Sequence, residues 1–171
     1  MRPARQSIVS AAILVLALAA PLTAQAPNLG GMITGLDIDR VTEIASAYGT
    51  AERRTDDDGS PWVRAEIDGV IYTISFLNCD NGQNCGSVQF RAWWNSEGTH
   101  TIEQMNQWNR ERRFSAAYLD NNDNATIEFD VNLAGGVTAV NFDDTMQWWQ
   151  AVIRAFRDTV INPGYDAPDN P

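Results

Sequence analysis

Lysine is absent from the 171-residue sequence, histidine occurs once and cysteine twice. All twelve basic residues are therefore arginines, which excludes catalysis through a lysine Schiff base. A single histidine, His100, cannot build a multi-histidine metal site. With Cys79 and Cys85 as the only thiols, few arrangements remain that pair a nucleophile with a histidine base. These absences remove most common catalytic constellations and direct attention to binding.

The amino terminus has the layout of a secretory signal peptide. Arg2 and Arg5 precede a small and apolar run from Ile8 to Ala20, and small residues recur at Ala24 and Ala26. As a helix this run would be about 20 Å long, shorter than the roughly 30 Å hydrocarbon core of a bilayer. The pattern predicts a signal peptide over residues 1–26, a periplasmic or secreted bacterial protein, and no stable membrane span after cleavage.

The remaining chain is strongly acidic. Removing residues 1–26 takes away two arginines and no acid, so ten basic residues face 22 acidic ones and the formal net charge is −12. Such a charge repels nucleic-acid phosphates and anionic membranes. We therefore expect no nucleic-acid partner.

The two ends of the mature chain differ in composition from its middle. Residues 27–35 contain three glycines and one proline, and residues 162–171 contain three prolines. This composition predicts an N-terminal linker over 27–35 and a flexible C-terminal tail over 162–171. A single folded domain remains over residues 36–161.

Hydrophobic periodicity within this domain predicts both helices and strands. Asp37 is a candidate N-cap, the Asp68-Gly69 pair is a strong hairpin signal, and Thr101 with Gln104 forms a capping box. The predicted helices cover 37–48, 101–112 and a segment from about 138–142 to 160; the predicted strands cover 62–67, 70–76, 88–94, 114–119 and 125–131. The order α-β-β-β-α-β-β-α predicts an α+β fold with an antiparallel sheet and helices packed on it.

The last helix has the clearest periodicity in the sequence. Large apolar residues recur there at intervals of four and three positions, which predicts that they form one buried face. They are Phe142, Met146, Trp149, Ile153, Phe156 and Val160.

Several short motifs occur in a characteristic order along the domain. They are Trp108-Asn109, Arg113-Phe114, Tyr118-Leu119-Asp120, and Gly135-Gly136-Val137-Thr138 leading into the Trp-rich last helix. In this order and spacing the sequence resembles the YbjN-domain family, whose members are described as bacterial regulators of sensory transduction. The resemblance implies a fold similar to type III secretion chaperones and no established catalytic residues.

Cys79 and Cys85 flank a five-residue turn between two predicted strands. In an exported protein the expected state of such a pair is a disulfide. A redox-active pair is the alternative, but the spacing is not Cys-X-X-Cys and no cationic residue lies nearby to lower a thiol pKa.

Two acidic segments invite comparison with metal sites. The segment that starts at Asp120 has oxygen-bearing residues where a calcium loop begins, but Ala125 replaces the required Gly and Val131 replaces the bidentate Glu. Asp56 to Gly59 is typical of a solvated turn. His100 has no partner at a telling spacing. We therefore predict no metal, no cofactor and no catalytic residue.

Two adjacent tryptophan pairs, Trp93-Trp94 and Trp148-Trp149, cannot lie wholly in the core. Neighbours on a strand point to opposite faces, and neighbours on a helix are about 100° apart. We expect Trp94 and Trp149 in the core. Trp93 and Trp148 then either cover its rim or form, with Arg91, an apolar surface for a protein partner, where Trp and Arg are favoured.

The leading hypothesis is an exported, non-enzymatic module that binds a protein or peptide, with a regulatory or chaperone-like role. A chaperone-like module would have a broad apolar surface and would form a homodimer. The alternative is a small secreted hydrolase or sugar-binding domain that uses exposed Trp side chains, and it predicts a concave pocket with convergent polar groups.

Export leads to a direct prediction. Soluble protein from a bacterial host that expresses the full sequence should begin near residue 27, because signal peptidase removes the apolar leader. Amino-terminal sequencing of the periplasmic fraction measures this. Retention of Met1 on soluble cytoplasmic protein would contradict the prediction.

Overall fold

The computed structural model of the chain describes residues 26–95 and 98–163. The predicted signal peptide, except Ala26, and the predicted tail, except Asn162 and Pro163, lie outside the described residues. Within those two ranges, no helix is long and apolar enough to cross a membrane.

Three helices and eight strands alternate along the described chain. In order they are β1 (Met32–Ile33), α1 (Ile38–Ser46), β2 (Thr50–Thr55), β3 (Pro61–Ile67), β4 (Val70–Leu77), β5 (Ser87–Trp94), α2 (Ile102–Glu111), β6 (Ala116–Leu119), β7 (Ala125–Asn132), β8 (Val137–Thr138) and α3 (Ala139–Phe156). A π-helical turn, Arg157–Ile161, continues α3. The antiparallel main sheet has the order β2-β3-β4-β5-β7-β6, and β1 pairs with β8. The predicted α+β fold is confirmed.

The core lies between one face of the main sheet and the helices. Alternate residues of β3, β4 and β5 are buried, as period-two patterning requires. Trp149 of α3 is fully buried, with its ring centroid 5.8 Å from that of Tyr72 and 5.6 Å from that of Phe90. All six periodic apolar residues predicted for the last helix are buried. Trp94 is half-buried, and its ring lies 5.3 Å from that of Phe156.

The largest difference from the predicted elements lies before β3. Residues Thr50–Thr55 form an edge strand that pairs with β3, although their sequence, TAERRT, has no apolar alternation. Charged residues are common on edge strands because they discourage pairing with other chains. The Asp56 to Gly59 turn is present, and it joins β2 to β3.

The predicted linker over 27–35 is wrong in its second half. Ile33 is fully buried, and β1 pairs through Met32 and Ile33 with Thr138 and Val137. A two-residue strand is too short for periodicity to reveal it. Asp37 precedes α1 as predicted but does not cap it through its side chain, because its carboxylate accepts hydrogen bonds from the backbone and hydroxyl of Thr34.

The other element boundaries follow the local signals closely. The predicted capping box of α2 is present, with the Thr101 hydroxyl and the Gln104 amide bonded reciprocally to backbone groups. The strand predicted from residue 114 begins at Ala116, because Phe114 has a left-handed backbone conformation (φ 62°) that a strand cannot include.

The β3–β4 hairpin turn is clamped to α3 by charge. Asp68 and Gly69 both have positive φ, as a tight hairpin turn needs. The Asp68 carboxylate accepts hydrogen bonds from Arg154 at 2.6 and 2.9 Å and from Gln150 at 3.1 Å. The Arg154 guanidinium holds the pKa of Asp68 below its usual value. This clamp connects the end of one hairpin to the C-terminal part of α3.

Cys79 and Cys85 form the predicted disulfide. The bridged loop packs on the segment before α1, where the Cys85 N–H donates to the Gly35 carbonyl at 3.3 Å. A Cβ atom on Gly35 would lie 1.8 Å from the carbonyl oxygen of Cys85, so only glycine permits this approach. The Gly86 N–H donates a hydrogen bond to the Leu77 carbonyl, and the Gly86 carbonyl accepts one from the Leu133 N–H. The loop is therefore an integral part of the domain.

Replacing Asp68 by Asn tests the clamp. The Arg154 side chain is 52% exposed, so solvent screens the pair and we expect Asp68→Asn to lower the free energy of unfolding at pH 7 by about 0.5–1 kcal/mol. Because the Asp68 pKa is depressed in the folded state, this stabilisation exists above the unfolded pKa of about 3.9 and is lost as the pH falls through the folded value. Urea unfolding from pH 7 to pH 2 should show the two proteins converging in acid. A constant difference would contradict the clamp.

Gly35→Ala tests the packing of the disulfide loop. The added methyl group must push the Cys85 backbone away, and overpacking of this kind costs about 1–3 kcal/mol. Gly86→Ala is the matched control from the same loop, because a Cβ there would lie 3.5 Å from the Cβ of Asn78, an ordinary contact. Urea midpoints should fall for Gly35→Ala alone. Equal midpoints for both variants would show that the loop does not need this close approach.

Candidate functional site

An exposed apolar groove lies between the end of α2 and the outer side of α3. Its cavity has a volume of about 320 Å³. We call it the Trp148 groove. It is lined by Trp108, Glu111, Arg112, Arg113, Phe114, Trp148, Ala151, Val152 and Ala155.

Helix geometry places Trp148 in this groove. Successive residues of an α-helix are about 100° apart, so the burial of Trp149 turns its neighbour away from the sheet. Trp149 is 0% exposed and Trp148 is 45% exposed. The prediction that one member of this pair is core and the other lies outside it is confirmed for α3.

Phe114 extends the aromatic wall of the groove through an unusual backbone conformation. Its φ of 62° is left-handed, which costs a non-glycine residue roughly 1–2 kcal/mol. The conformation directs the ring onto Trp148, with the two centroids 4.7 Å apart, and leaves Phe114 39% exposed. A strained conformation of this kind persists only where its surroundings determine it.

Hydrogen bonds from α2 hold the segment around Phe114. The Asn109 side chain donates to the Ala117 carbonyl at 2.9 Å and accepts from the Ala117 N–H at 2.7 Å. The Trp108 indole N–H donates to the Ser115 hydroxyl at 2.9 Å. The adjacent residues Trp108 and Asn109 thus fix the chain immediately after Phe114. The Trp108-Asn109 and Arg113-Phe114 motifs therefore both have a structural role.

Two arginines flank the apolar walls. The Arg112 guanidinium lies 5.6 Å from the Trp108 ring centroid, and that of Arg113 lies 4.8 Å from the Phe114 ring centroid. Neither forms a salt bridge with another described residue. Sequence reasoning identified Trp148 but missed Arg112, Arg113 and Phe114 as site residues, because a loop between two elements has no periodicity from which to infer orientation.

A second cavity adjoins the Trp148 groove. It has a volume of about 340 Å³ and shares Trp108, Glu111 and Arg112 with the first cavity. Its other lining residues are Gln104, Gln107, Thr159 and Val160. Together the two cavities follow α2 from the Phe114–Trp148 pair to the end of the π-helical turn, which gives an elongated and not a spherical site.

Arg91 and Trp93 lie at a different place from Trp148. On β5 the buried residues Phe90 and Ala92 face the core, so Arg91 and Trp93 lie on the opposite face of the sheet. Trp93 is 43% exposed, and the Arg91 guanidinium lies 5.4 Å from its ring centroid. The polar cavity beside them shares no lining residue with the Trp148 groove. The expectation of one surface built from Arg91, Trp93 and Trp148 is therefore corrected.

Two carboxylates form ion pairs with Arg91. Its guanidinium lies 3.3 Å from the Glu128 carboxylate and 3.6 Å from that of Asp120. Tyr118 donates a hydrogen bond to Glu128, and burial, followed by this bond, raises the pKa of Tyr118 to about 12. These groups form a connected polar network across β5, β7 and β6.

The Asp120 segment forms the predicted Asx-rich turn. Backbone N–H groups of Asn124 and Asn122 donate to the Asp120 carboxylate and hold the pKa of Asp120 below its usual value. Across residues 26–95 and 98–163, no group of three or more His, Cys, Asp and Glu side chains is arranged to hold a metal ion.

Solved structures that resemble this chain include a type III secretion chaperone, at low sequence identity. The type III secretion chaperone SycH of Yersinia pestis, solved in complex with a stable fragment of YscM2, matches with 12% identity and a TM-score of 0.46. The match covers 69% of this chain and 98% of the SycH chain. No curated protein matches the sequence.

Comparison with protein families is decisive, because one family matches nearly the whole described domain. The match spans residues 37–162, from the residue before α1 to the residue after the π-helical turn. The family's description, "Putative bacterial sensory transduction regulator", is that of a regulatory and not an enzymatic protein. The chain belongs to the YbjN family.

Proposed function

We propose that this protein is an exported, non-enzymatic regulatory module that binds a protein or peptide partner in the Trp148 groove. The observation that carries the proposal is the contact between two exposed aromatic side chains, Phe114 and Trp148, above a mostly apolar cavity. Solvent-exposed aromatic side chains beside arginines are the composition that dominates binding energy at protein interfaces.

The shape of the groove favours a chain segment over a compact small molecule. Two cavities of about 320 and 340 Å³ lie end to end along α2. A small-molecule site typically encloses most of its ligand, whereas this site is open along its length. A peptide in extended or helical form can place successive side chains in both cavities.

Export is supported by two independent features. The amino terminus has the layout of a signal peptide, and Cys79 and Cys85 form a disulfide. Disulfides are stable in the periplasm and outside the cell and rare in the cytosol. The proposed partner is therefore a protein or peptide of the same oxidising compartment.

Trp93 is the weaker candidate for a binding platform. The Arg91 guanidinium lies over its ring, and Glu128 and Asp120 fix that guanidinium. A sugar or partner side chain that stacks on this face would have to displace Arg91 and separate its ion pairs. The Trp148–Phe114 pair requires no such rearrangement.

Trp148→Ala tests the proposed function, with Trp93→Ala as the matched control. The two tryptophans are almost equally exposed and lie at separate sites. Loss of a central aromatic anchor typically costs at least about 2 kcal/mol of binding, so we expect at least a tenfold weaker interaction for Trp148→Ala and little change for Trp93→Ala. Quantitative cross-linking to periplasmic proteins, followed by calorimetry with the purified partner, measures the effect.

Thermal melts of both variants accompany the binding measurement. Trp148 is half exposed and outside the main aromatic cluster, so its variant should unfold cooperatively close to the unsubstituted protein. Binding that is lost with Trp93→Ala and retained with Trp148→Ala would move the site to the other face of the sheet. Equal binding by all three proteins would remove both tryptophans from the interface.

A further inference from the structure

We infer that the Trp148 groove selects a peptide segment in which one large apolar side chain is followed or preceded closely by one or two carboxylates. This inference rests on the proposed function and adds the chemistry of the partner. It follows from the combination of an aromatic cavity and two adjacent guanidinium groups, Arg112 and Arg113.

The cavity accommodates one large side chain. Ala151 and Ala155 are one helical turn apart on α3, and their small side chains leave a cavity open beside the contacting rings of Phe114 and Trp148. A Leu, Phe or Trp side chain would contact both aromatic rings and the alanine methyl groups. Burial of that apolar surface supplies the non-directional part of the affinity.

The guanidinium groups of Arg112 and Arg113 supply the directional part of the affinity. Arginine presents a planar fork of donors that matches a carboxylate in bidentate geometry. Most other arginines of the domain already have acidic partners: salt bridges are formed by Arg53, Arg54, Arg91, Arg154 and Arg157. Arg112 and Arg113 form none with a described residue, although 22 acidic residues are present in the chain. Their guanidinium groups lie over aromatic rings at the edge of the groove, where they can donate hydrogen bonds to a carboxylate of a ligand.

The remaining charges limit how acidic the segment can be. The full sequence has a net charge of −10, so a strongly acidic ligand is repelled at long range. Glu111 lies where the two cavities meet and accepts a hydrogen bond from Gln107. A carboxylate near Glu111 is disfavoured, whereas one beside Arg113 and Phe114 is favoured. The site therefore favours one or two carboxylates on one side of the apolar residue over a uniformly acidic peptide.

Three neutral-ended synthetic decapeptides test this selectivity on the purified protein. Each carries a central Trp within Gly and Ser residues, and two adjacent positions are Asp-Asp, the near-isosteric Asn-Asn, or Lys-Lys. Fluorescence anisotropy of labelled peptides gives the dissociation constants, with each pair placed in turn on either side of the Trp. We expect the Asp-Asp peptide in its better orientation to bind at least tenfold more tightly than the Asn-Asn peptide, and the Lys-Lys peptide to bind most weakly.

Matched substitutions locate the source of the preference. The double variant Arg112→Gln, Arg113→Gln should reduce the Asp-Asp over Asn-Asn preference to less than twofold. Arg110→Gln is the control, because Arg110 is an exposed residue of the same helix turn that does not line the groove. The single variant Arg113→Gln, which keeps Arg112 over Trp108, provides a milder change if the double variant unfolds.

The outcomes separate this inference from the proposed function. Binding that Trp148→Ala abolishes but that is equal for Asp-Asp and Asn-Asn peptides overturns the inference and leaves the groove as a binding site. A preference for the Lys-Lys peptide also overturns the inference and leaves the groove as a binding site. If no central-Trp peptide shows binding that Trp148→Ala weakens, both the inference and the proposed function fail. An Asp-Asp preference that the Arg110→Gln variant loses and the double variant keeps would assign the selectivity to another surface.

Discussion

The burial of Trp149 against the sheet is the constraint on which the rest of the architecture depends. Its indole ring contacts Tyr72 of β4 and Phe90 of β5, so it fixes both the rotation and the position of α3 along the sheet. With that rotation, Trp148 lies about 100° from Trp149, at the edge of the buried face of α3, and is 45% exposed. The exposure of Trp148 is thus a geometric consequence of the core and requires no separate stabilising contact.

The groove around Trp148 depends on a second, local constraint. Trp148 alone offers one exposed ring, and Phe114 in a left-handed conformation adds a second ring in contact with it. The domain holds that conformation by anchoring the following residues to Asn109 and Trp108 on α2. Phe114 is partly exposed, and its ring contacts both Phe129 at the edge of the core and Trp148. The strained conformation maintains an open apolar surface, which is the relation between strain and function seen at binding sites.

How far the sequence alone predicts this molecule depends on the length of each pattern. The buried face of α3 spans five turns, and β3 to β5 alternate over seven or eight residues, so their orientation follows from periodicity. The edge strand β2 and the two-residue strands β1 and β8 have no such pattern and form through pairing with their partners. For the site, helical spacing predicted the exposure of Trp148. The role of Phe114 depends on a single backbone dihedral angle and on contacts across the fold, and neither has a signature in one sequence.

The three arginine–aromatic contacts among the described residues show why equal exposure does not mean equal function. Arg91 lies over Trp93, but Glu128 and Asp120 neutralise it, and Tyr118 completes the network. A ligand carboxylate there would have to compete with the two carboxylates already paired with Arg91, and the gain over the free protein would be small. Arg112 and Arg113 lie over their rings without a salt bridge to any described residue, so a ligand carboxylate adds an interaction and displaces only water. The difference in pairing, more than the presence of Trp, is the reason for proposing a binding surface on the helical side of the domain.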